Sequence, residues 1–215
     1  HGGAVLHVKG APDVLVSRST AGVRDLAVVE ALGAEGLRVL GIASRPVPAE
    51  LLDAIPADIE HLGALAGTQD AAHTAAQQFR QVHARLAQRY SKRPPVTVFY
   101  EIWNPPLMTV SGKQIISDVV RLCGGVNVFA HLPGLAPTVD VEAVVQMNPE
   151  AIFMGDMRNR AAQPDNHWQR WTGLRAVRAG NLFSIPPDLM QRHTPRILQG
   201  AERVCADLEQ ARGRR

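Results

Sequence analysis

The sequence predicts an α/β protein of two α/β units joined by a single long helix, and three observations predict it. Short apolar runs alternate with amphipathic stretches at the front of the chain. An Ala/Gln/Arg-rich stretch free of glycine and proline then opens after Thr68 and is stopped by Pro94-Pro95. Beyond those prolines the alternation of strand and helix restarts.

Asp13-Val-Leu-Val-Ser17 is a short apolar run after Pro12. Ser19 and Thr20 precede an amphipathic stretch to about Leu32, so strand, loop and helix are expected in that order. Residues 37–42 repeat the strand pattern. Between Pro46 and Gly67, Leu51, Leu52, Ile55, Ile59, Leu62 and Leu65 recur at helical spacing, giving a helical segment bent at Pro56. From Thr68 to about Tyr90 the expectation is a helix roughly 30 Å long, a rigid strut spanning a small domain. Next come a strand at Val96–Glu101, helices at 113–123 and Val141–Met147, strands at 151–154 and 181–185, and a last helix over 195–210. Gln163-Pro-Asp-Asn166 reads as an exposed loop.

With 215 residues, 46% hydrophobic and 20% charged, the chain can bury one large core or two smaller ones. Its 23 Lys and Arg against 20 Asp and Glu leave a formal +3, with a pI near 9.2. So small and scattered an excess excludes a nucleic-acid footprint. Arg203, Arg212, Arg214 and Arg215 read as a frayed basic end. No run reaches the ~18 apolar residues a membrane helix needs, and no basic-then-apolar leader opens the sequence, so a soluble protein without membrane insertion is expected. His1-Gly2-Gly3 is not an initiation site; the front has been processed or trimmed, or lies outside the sequence.

Cys123 and Cys205 show no metal-ligand spacing, which leaves a choice between buried thiols and one disulfide. The phosphate cradles G-x-G-x-x-G and G-x-x-x-x-G-K-[ST] are missing, as is a G-x-S-x-G elbow. Gly124-Gly125 follows a helix and reads as its C-cap and turn. No histidine pair forms H-E-x-x-H, and neither a metal site nor a catalytic residue is expected.

Two loops stand out. In Phe99-Tyr-Glu-Ile-Trp-Asn-Pro-Pro-Leu-Met-Thr-Val-Ser-Gly112, a buried strand ends near Glu101 and is followed by Trp103, Asn104, Leu107 and Met108 on a proline-stiffened loop. Open α/β sheets bind ligands just past such carboxyl ends, and large apolar groups there suit a bulky, partly apolar ligand. The competing reading has Trp103 capping the core. Pro186-Pro-Asp-Leu-Met-Gln-Arg-His193 is a second loop of this type, adding Asp188 and Arg192 as polar partners.

At these residues the sequence resembles the periplasmic solute-binding proteins for metal chelates, the family that binds cobalamin, haem and ferric siderophores, and within it the cobalamin-binding members of ABC importers. The match runs over Ile55-Pro-Ala-Asp-Ile-Glu-His-Leu-Gly-Ala-Leu-Ala-Gly-Thr68, Val98-Phe-Tyr-Glu-Ile-Trp103 and Pro105-Pro-Leu-Met-Thr-Val-Ser-Gly112. It continues through Ile116-Ser-Asp-Val-Val-Arg-Leu-Cys-Gly-Gly-Val-Asn-Val-Phe129 and Ile185-Pro-Pro-Asp-Leu-Met-Gln-Arg-His-Thr-Pro-Arg-Ile197. The Cys-Gly-Gly-x-Asn-x-Phe block, with the late Pro-Arg-Ile and Cys205, is its most specific part.

The resemblance implies two Rossmann-like lobes tied by one long helix: a partial N-terminal lobe over 1–68, a linking helix over 69–93 and a C-terminal lobe over 94–215. It implies a periplasmic location, a corrinoid held between lobes and handed to the importer's permease subunits, and no bond made or broken. Cobalamin is then cargo, and no cofactor is expected. It implies a Cys123–Cys205 disulfide pinning the last helix, and a corrinoid pocket lined by Trp103, Leu107, Asp188 and Arg192. Three departures accompany it. A front segment of the N-terminal lobe is not in the sequence; Ala136 stands where a relative has a pocket tryptophan; and Gln191 stands where a relative has a glutamate that pairs with permease arginines. The alternative ligand within the family is haem, with Tyr100 and His193 as candidate axial ligands, or a ferric siderophore. An enzyme on such a fold would need clustered titratable groups, for which Glu101, Asp188 and His193 offer no recognised spacing.

Overall fold

The computed structural model describes residues 5–10, 26–35, 41–46, 51–155 and 167–214. The chain divides into two compact units, His1–Ala49 and Glu50–Arg215. In the first, β1 (Val5–Gly10) and β2 (Gly41–Pro46) pair antiparallel, Val5 opposite Pro46 and Gly10 opposite Gly41, and α1 spans Leu26–Ala34. The helix agrees with the amphipathic stretch ending near Leu32. β1 is a strand that the sequence pattern did not announce, and β2 lies later than the expected 37–42. The strand expected at 13–17 and the loop at 163–166 lie outside the described residues, as do 37–40.

In the second unit α2 (Leu51–Ala66) runs through Pro56 as one helix, with Pro56 buried near its start. A proline there removes one backbone donor and leaves the later turns intact. The backbone N–H of Leu51 donates to the Asp118 carboxylate at 2.7 Å, which ties the first turn of α2 to the helix carrying Asp118. The long helix expected after Thr68 is α3 (Gln69–Tyr90), of 22 residues. Four strands come after it: β3 (Val96–Glu101), β4 (Gly125–Asn127), β5 (Ala151–Gly155) and β6 (Leu182–Ile185). They form one parallel sheet in the order β4-β3-β5-β6. The intervening helices are α4 (Ile115–Leu122), α5 (Val141–Met147), α6 (Arg175–Arg178), α7 (Pro187–Met190) and α8 (Ile197–Gly213), with a 3₁₀ turn at His167–Arg170.

Alternate residues of β3 serve two cores. Val96, Val98 and Tyr100 face a cluster with Leu52, Phe79 and Leu208, drawn from α2, α3 and α8, while Phe99 faces another with Phe129, Val144 and Trp168. Phe99 meets Phe129 and Trp168 edge-on, with ring centres 5.7 and 5.5 Å apart, and Tyr100 stacks on Phe153 at 6.3 Å. Each such fully buried side chain stabilises by roughly 1.5–3 kcal/mol. The Tyr100 hydroxyl has no hydrogen-bond partner among the described residues, and burial pushes its pKa far above the usual tyrosine value. Tyr100 is therefore a core residue, which removes it as an axial ligand for haem.

Cys123, capping α4, is bonded to Cys205 on α8, with Cα atoms 4.6 Å apart and a sequence separation of 82. This is the pairing that the resemblance implied. The rest of the Cys-Gly-Gly-x-Asn-x-Phe block is structural too. Gly124 takes φ +71° to end the helix, and a Cβ on Gly125 would lie 2.7 Å from Val120 Cγ1 and 2.9 Å from Leu208 Cδ1. Asn127 Nδ2 donates to Val110 O at 2.8 Å and to Ser117 Oγ at 2.9 Å, and its Oδ1 accepts from the Phe129 N–H at 2.9 Å.

The basic C-terminus departs from the frayed end expected of it. The Arg212 guanidinium donates to the carbonyls of Pro94, Cys123 and Gly124 at 2.8, 2.7 and 3.1 Å and pairs with Glu209, while Arg214 donates to Gly180 O at 2.7 Å. A guanidinium carries five donors in a planar fork, so it satisfies carbonyls left open where α4 ends and β3 begins.

In the chain-entropy picture, closing the long loop between the two cysteines is worth roughly 4–5 kcal/mol, so reduction or Cys205→Ser should lower Tm by on the order of 10 °C. Thiol labelling of the unfolded, unreduced protein should find no free cysteine; two labelled cysteines would contradict the bond. On α8, burial pushes the Asp207 carboxyl up from 3.8 to about 6, against the opposing pull of Arg203. The folded state holds this proton where the unfolded chain has lost it, so stability falls as pH rises between those values. Asp207→Asn should raise Tm at pH 7.5 by calorimetry, and that gain should vanish below about pH 4.

Candidate functional site

Because the four strands run one way, the loops after β3, β4 and β6 leave from a single edge of the sheet. β4 lies on one side of β3 and β5 on the other, so the strand order reverses between β3 and β5. The crevice beyond the carboxyl ends at such a reversal is where open α/β sheets take ligands.

The loop after β3 is a locked hairpin. The Ile102 N–H donates to Met108 O at 3.0 Å and the Met108 N–H to Trp103 O at 2.9 Å. Thr138 bridges to Met108 from the loop after β4, with the Thr109 N–H on Pro137 O at 3.0 Å and the Val139 N–H on Leu107 O at 3.0 Å. Thr109 Oγ1 donates to Tyr100 O at 2.8 Å, and Ser111 Oγ to Gly134 O at 2.6 Å. The tip Asn104-Pro105-Pro106 carries two cis peptide bonds, and the Trp103 indole N–H donates to Pro105 O at 2.7 Å.

Trp103 stands 45% exposed, which excludes the reading in which it caps the core. Leu107 points the other way, 7% exposed within the second core, where it seats the turn. Asn104 and Met108 are half-buried at the tip and base of the hairpin, and Ala136 is exposed on the adjoining loop. Beside it an open groove of about 620 Å³ is lined by Phe129, His131, Thr138, Asp140 and Met147, among others.

The loop after β6 begins at Pro186 and carries α7. A Cβ on Gly155 would lie 3.8 Å from Gln191 Nε2 and 3.5 Å from Glu101 O, so this loop meets the ends of β3 and β5. Asp188 is half-exposed, and its carboxylate accepts from Arg196 at 3.1 Å. Arg192 and His193 are exposed, and the Arg192 guanidinium makes no hydrogen bond or ion pair among the described residues. Trp103, Asn104 and Met108 thus share one sheet edge with Asp188, Gln191 and Arg192.

A polar cluster beneath the hairpin had no signal in the sequence. Glu101, 9% exposed at the end of β3, accepts from Trp168 Nε1 at 2.7 Å. His167 Nε2 lies 3.2 Å from the same carboxylate and 3.1 Å from Asn104 Nδ2, with its ring 4.9 Å from that of Trp168. The 3₁₀ turn that brings these residues in is too short to show a period. Among the described residues no group of three His, Cys, Asp or Glu stands together as metal ligands, and no helix is long and apolar enough to cross a membrane.

A family model described as "Periplasmic binding protein" matches residues 8–189. The vitamin B12-binding protein of Vibrio parahaemolyticus is 31% identical over 182 residues, which cover 84% of this chain and 65% of that relative. Among solved structures, the periplasmic vitamin B12 binding protein of Vibrio cholerae superposes with a TM-score of 0.71 at 29% identity, covering 87% of this chain and 71% of that one. The periplasmic haem binding protein of the same organism gives a TM-score of 0.65 at 15% identity, over 88% of this chain and 74% of that one, a likeness of fold. The chain spans 65% of the length of the Vibrio parahaemolyticus relative. The chain belongs to the periplasmic binding protein family.

Proposed function

We propose that this chain is a periplasmic solute-binding protein that captures cobalamin and delivers it to an ABC importer, with no bond made or broken. The observation that carries the reading is an exposed indole, Trp103, on a hydrogen-bonded hairpin at the ligand edge of a parallel sheet. A corrin is a broad, largely apolar disc fringed with amides. An exposed aromatic face can pack on such a disc, while Asn104, Asp188 and Arg192 reach the amides. The name carried by the Vibrio parahaemolyticus relative supports the same ligand. The Cys123–Cys205 disulfide supports an oxidising compartment such as the periplasm. In this reading residues 1–68 belong to the N-terminal lobe, 69–93 to the linking helix and 94–215 to the C-terminal lobe.

Haem is the competing cargo, and with Tyr100 inside the core its candidate axial ligand is His193. Calorimetric titration separates the two: cyanocobalamin should bind one-to-one and saturably, and haemin should not. Saturable haemin binding with no cobalamin binding would overturn the assignment. Trp103→Ala should weaken cobalamin by about 1–3 kcal/mol, on the order of 5- to 150-fold in Kd. An unchanged Kd would remove Trp103 from the site.

A further inference from the structure

We propose that His167 is a positioning residue of the ligand edge, fixing the Asn104 tip of the hairpin, and with it Trp103, from a rigid support made by Glu101 and Trp168. The support is rigid because it stands on the core. Trp168 is fully buried, packs edge-on against Phe99 of β3 and donates its indole N–H to Glu101, the last residue of that strand. His167 lies against the Trp168 ring, its side chain 18% exposed, and one ring nitrogen reaches both the Glu101 carboxylate and the Asn104 amide. With Nε2 protonated the ring donates to the carboxylate; with it unprotonated it accepts from the amide.

The hairpin needs such a support. Its base is held by the Met108 amide on Trp103 O and by the bridge to Thr138, whereas at the tip the side chain of Asn104 is bonded to His167. Trp103 is adjacent, and its indole N–H is tied to the tip through Pro105 O. A tip free to shift would carry the indole with it, so the contact at Asn104 sets where the aromatic face stands.

The ligand-binding part of the test rests on the cobalamin reading; a second part does not. His167→Phe keeps a ring against Trp168 and removes the nitrogen. In the unliganded protein it should speed hydrogen exchange at the Met108 amide at least fivefold while α8 amides stay unchanged, and His167→Gln, which restores a polar partner for Asn104, should reverse most of that. Unchanged exchange at Met108 in His167→Phe, or acceleration that His167→Gln does not reverse, overturns the proposal whatever the protein binds. Should the phenylalanine variant fail to fold, Asn104→Ala gives the same comparison from the other side of the contact.

In cyanocobalamin titrations, His167→Phe should raise Kd roughly five- to tenfold, the scale of one lost hydrogen bond, and Asn104→Ala, which also removes a side chain placed at the ligand, at least as much. The double variant should be no weaker than Asn104→Ala alone, because both substitutions remove the His167–Asn104 contact and only Asn104→Ala also removes a side chain placed at the ligand. Additive losses in the double variant would mean that His167 acts elsewhere and would overturn the proposal. If the wild-type chain binds no cobalamin, the functional reading falls and the exchange experiment alone decides the role of His167.

Discussion

β3 is covered on both faces, and the geometry of the loops at the carboxyl edge of the sheet depends on that double burial. Val98 and Phe99 are fully buried and Tyr100 is 1% exposed, so consecutive side chains are gripped by opposite cores. A strand held this way cannot slip by one residue, since the slip would exchange its two sets of side chains between differently shaped cores. Its ends are fixed as well. At the amino edge Glu150 accepts from the Thr97 N–H at 2.9 Å and from Arg175 at 2.8 Å. At the carboxyl edge Thr109 Oγ1 ties the strand to the returning arm of the hairpin, and the Glu101 carboxylate ties it to Trp168. A hairpin grown from such a strand starts from a known point.

The hairpin divides its apolar residues between two tasks. Leu107 is spent inside the second core, while Trp103 is left out in solvent on the neighbouring arm. Exposing an indole forgoes hydrophobic stabilisation, and here it is combined with backbone hydrogen bonds within the hairpin and from its returning arm to the loop after β4. An aromatic face already held in place loses little entropy when a ligand packs on it, so more of the contact energy reaches the affinity. Ala136, exposed on the adjoining loop, offers no ring there.

Much of this was legible in the sequence, for physical reasons that also mark where legibility stops. β3, β5 and α5 coincide almost residue for residue with their expected spans, because buried parallel strands are short apolar runs; the structure adds the Asp140 cap of α5, whose carboxylate accepts from the Ala143 N–H at 2.6 Å. Trp103, Asn104 and Met108 were readable as a loop past a strand end. The antiparallel β1–β2 pairing was not, since pairing partners 31 to 41 residues apart leave no local period. Arg212 and the Glu101, His167 and Trp168 cluster were equally hidden: each is a polar contact between distant segments, and a side chain's partner is set by the fold. The cysteine spacing left two outcomes open, and it took family resemblance to choose between them.

Glu101 shows why polar contacts recur at this edge. A carboxylate nine-tenths buried is costly unless its oxygens are satisfied, and here the Trp168 indole N–H and the His167 ring stand against one of them. An apolar residue at position 101 would pack at lower cost in desolvation, yet apolar contacts are non-directional and permit sliding. Hydrogen bonds from Trp168 and around His167 fix an angle as well as a distance. A hairpin that holds one exposed aromatic face gains from that directionality, and the second core supplies the rigidity that makes it effective.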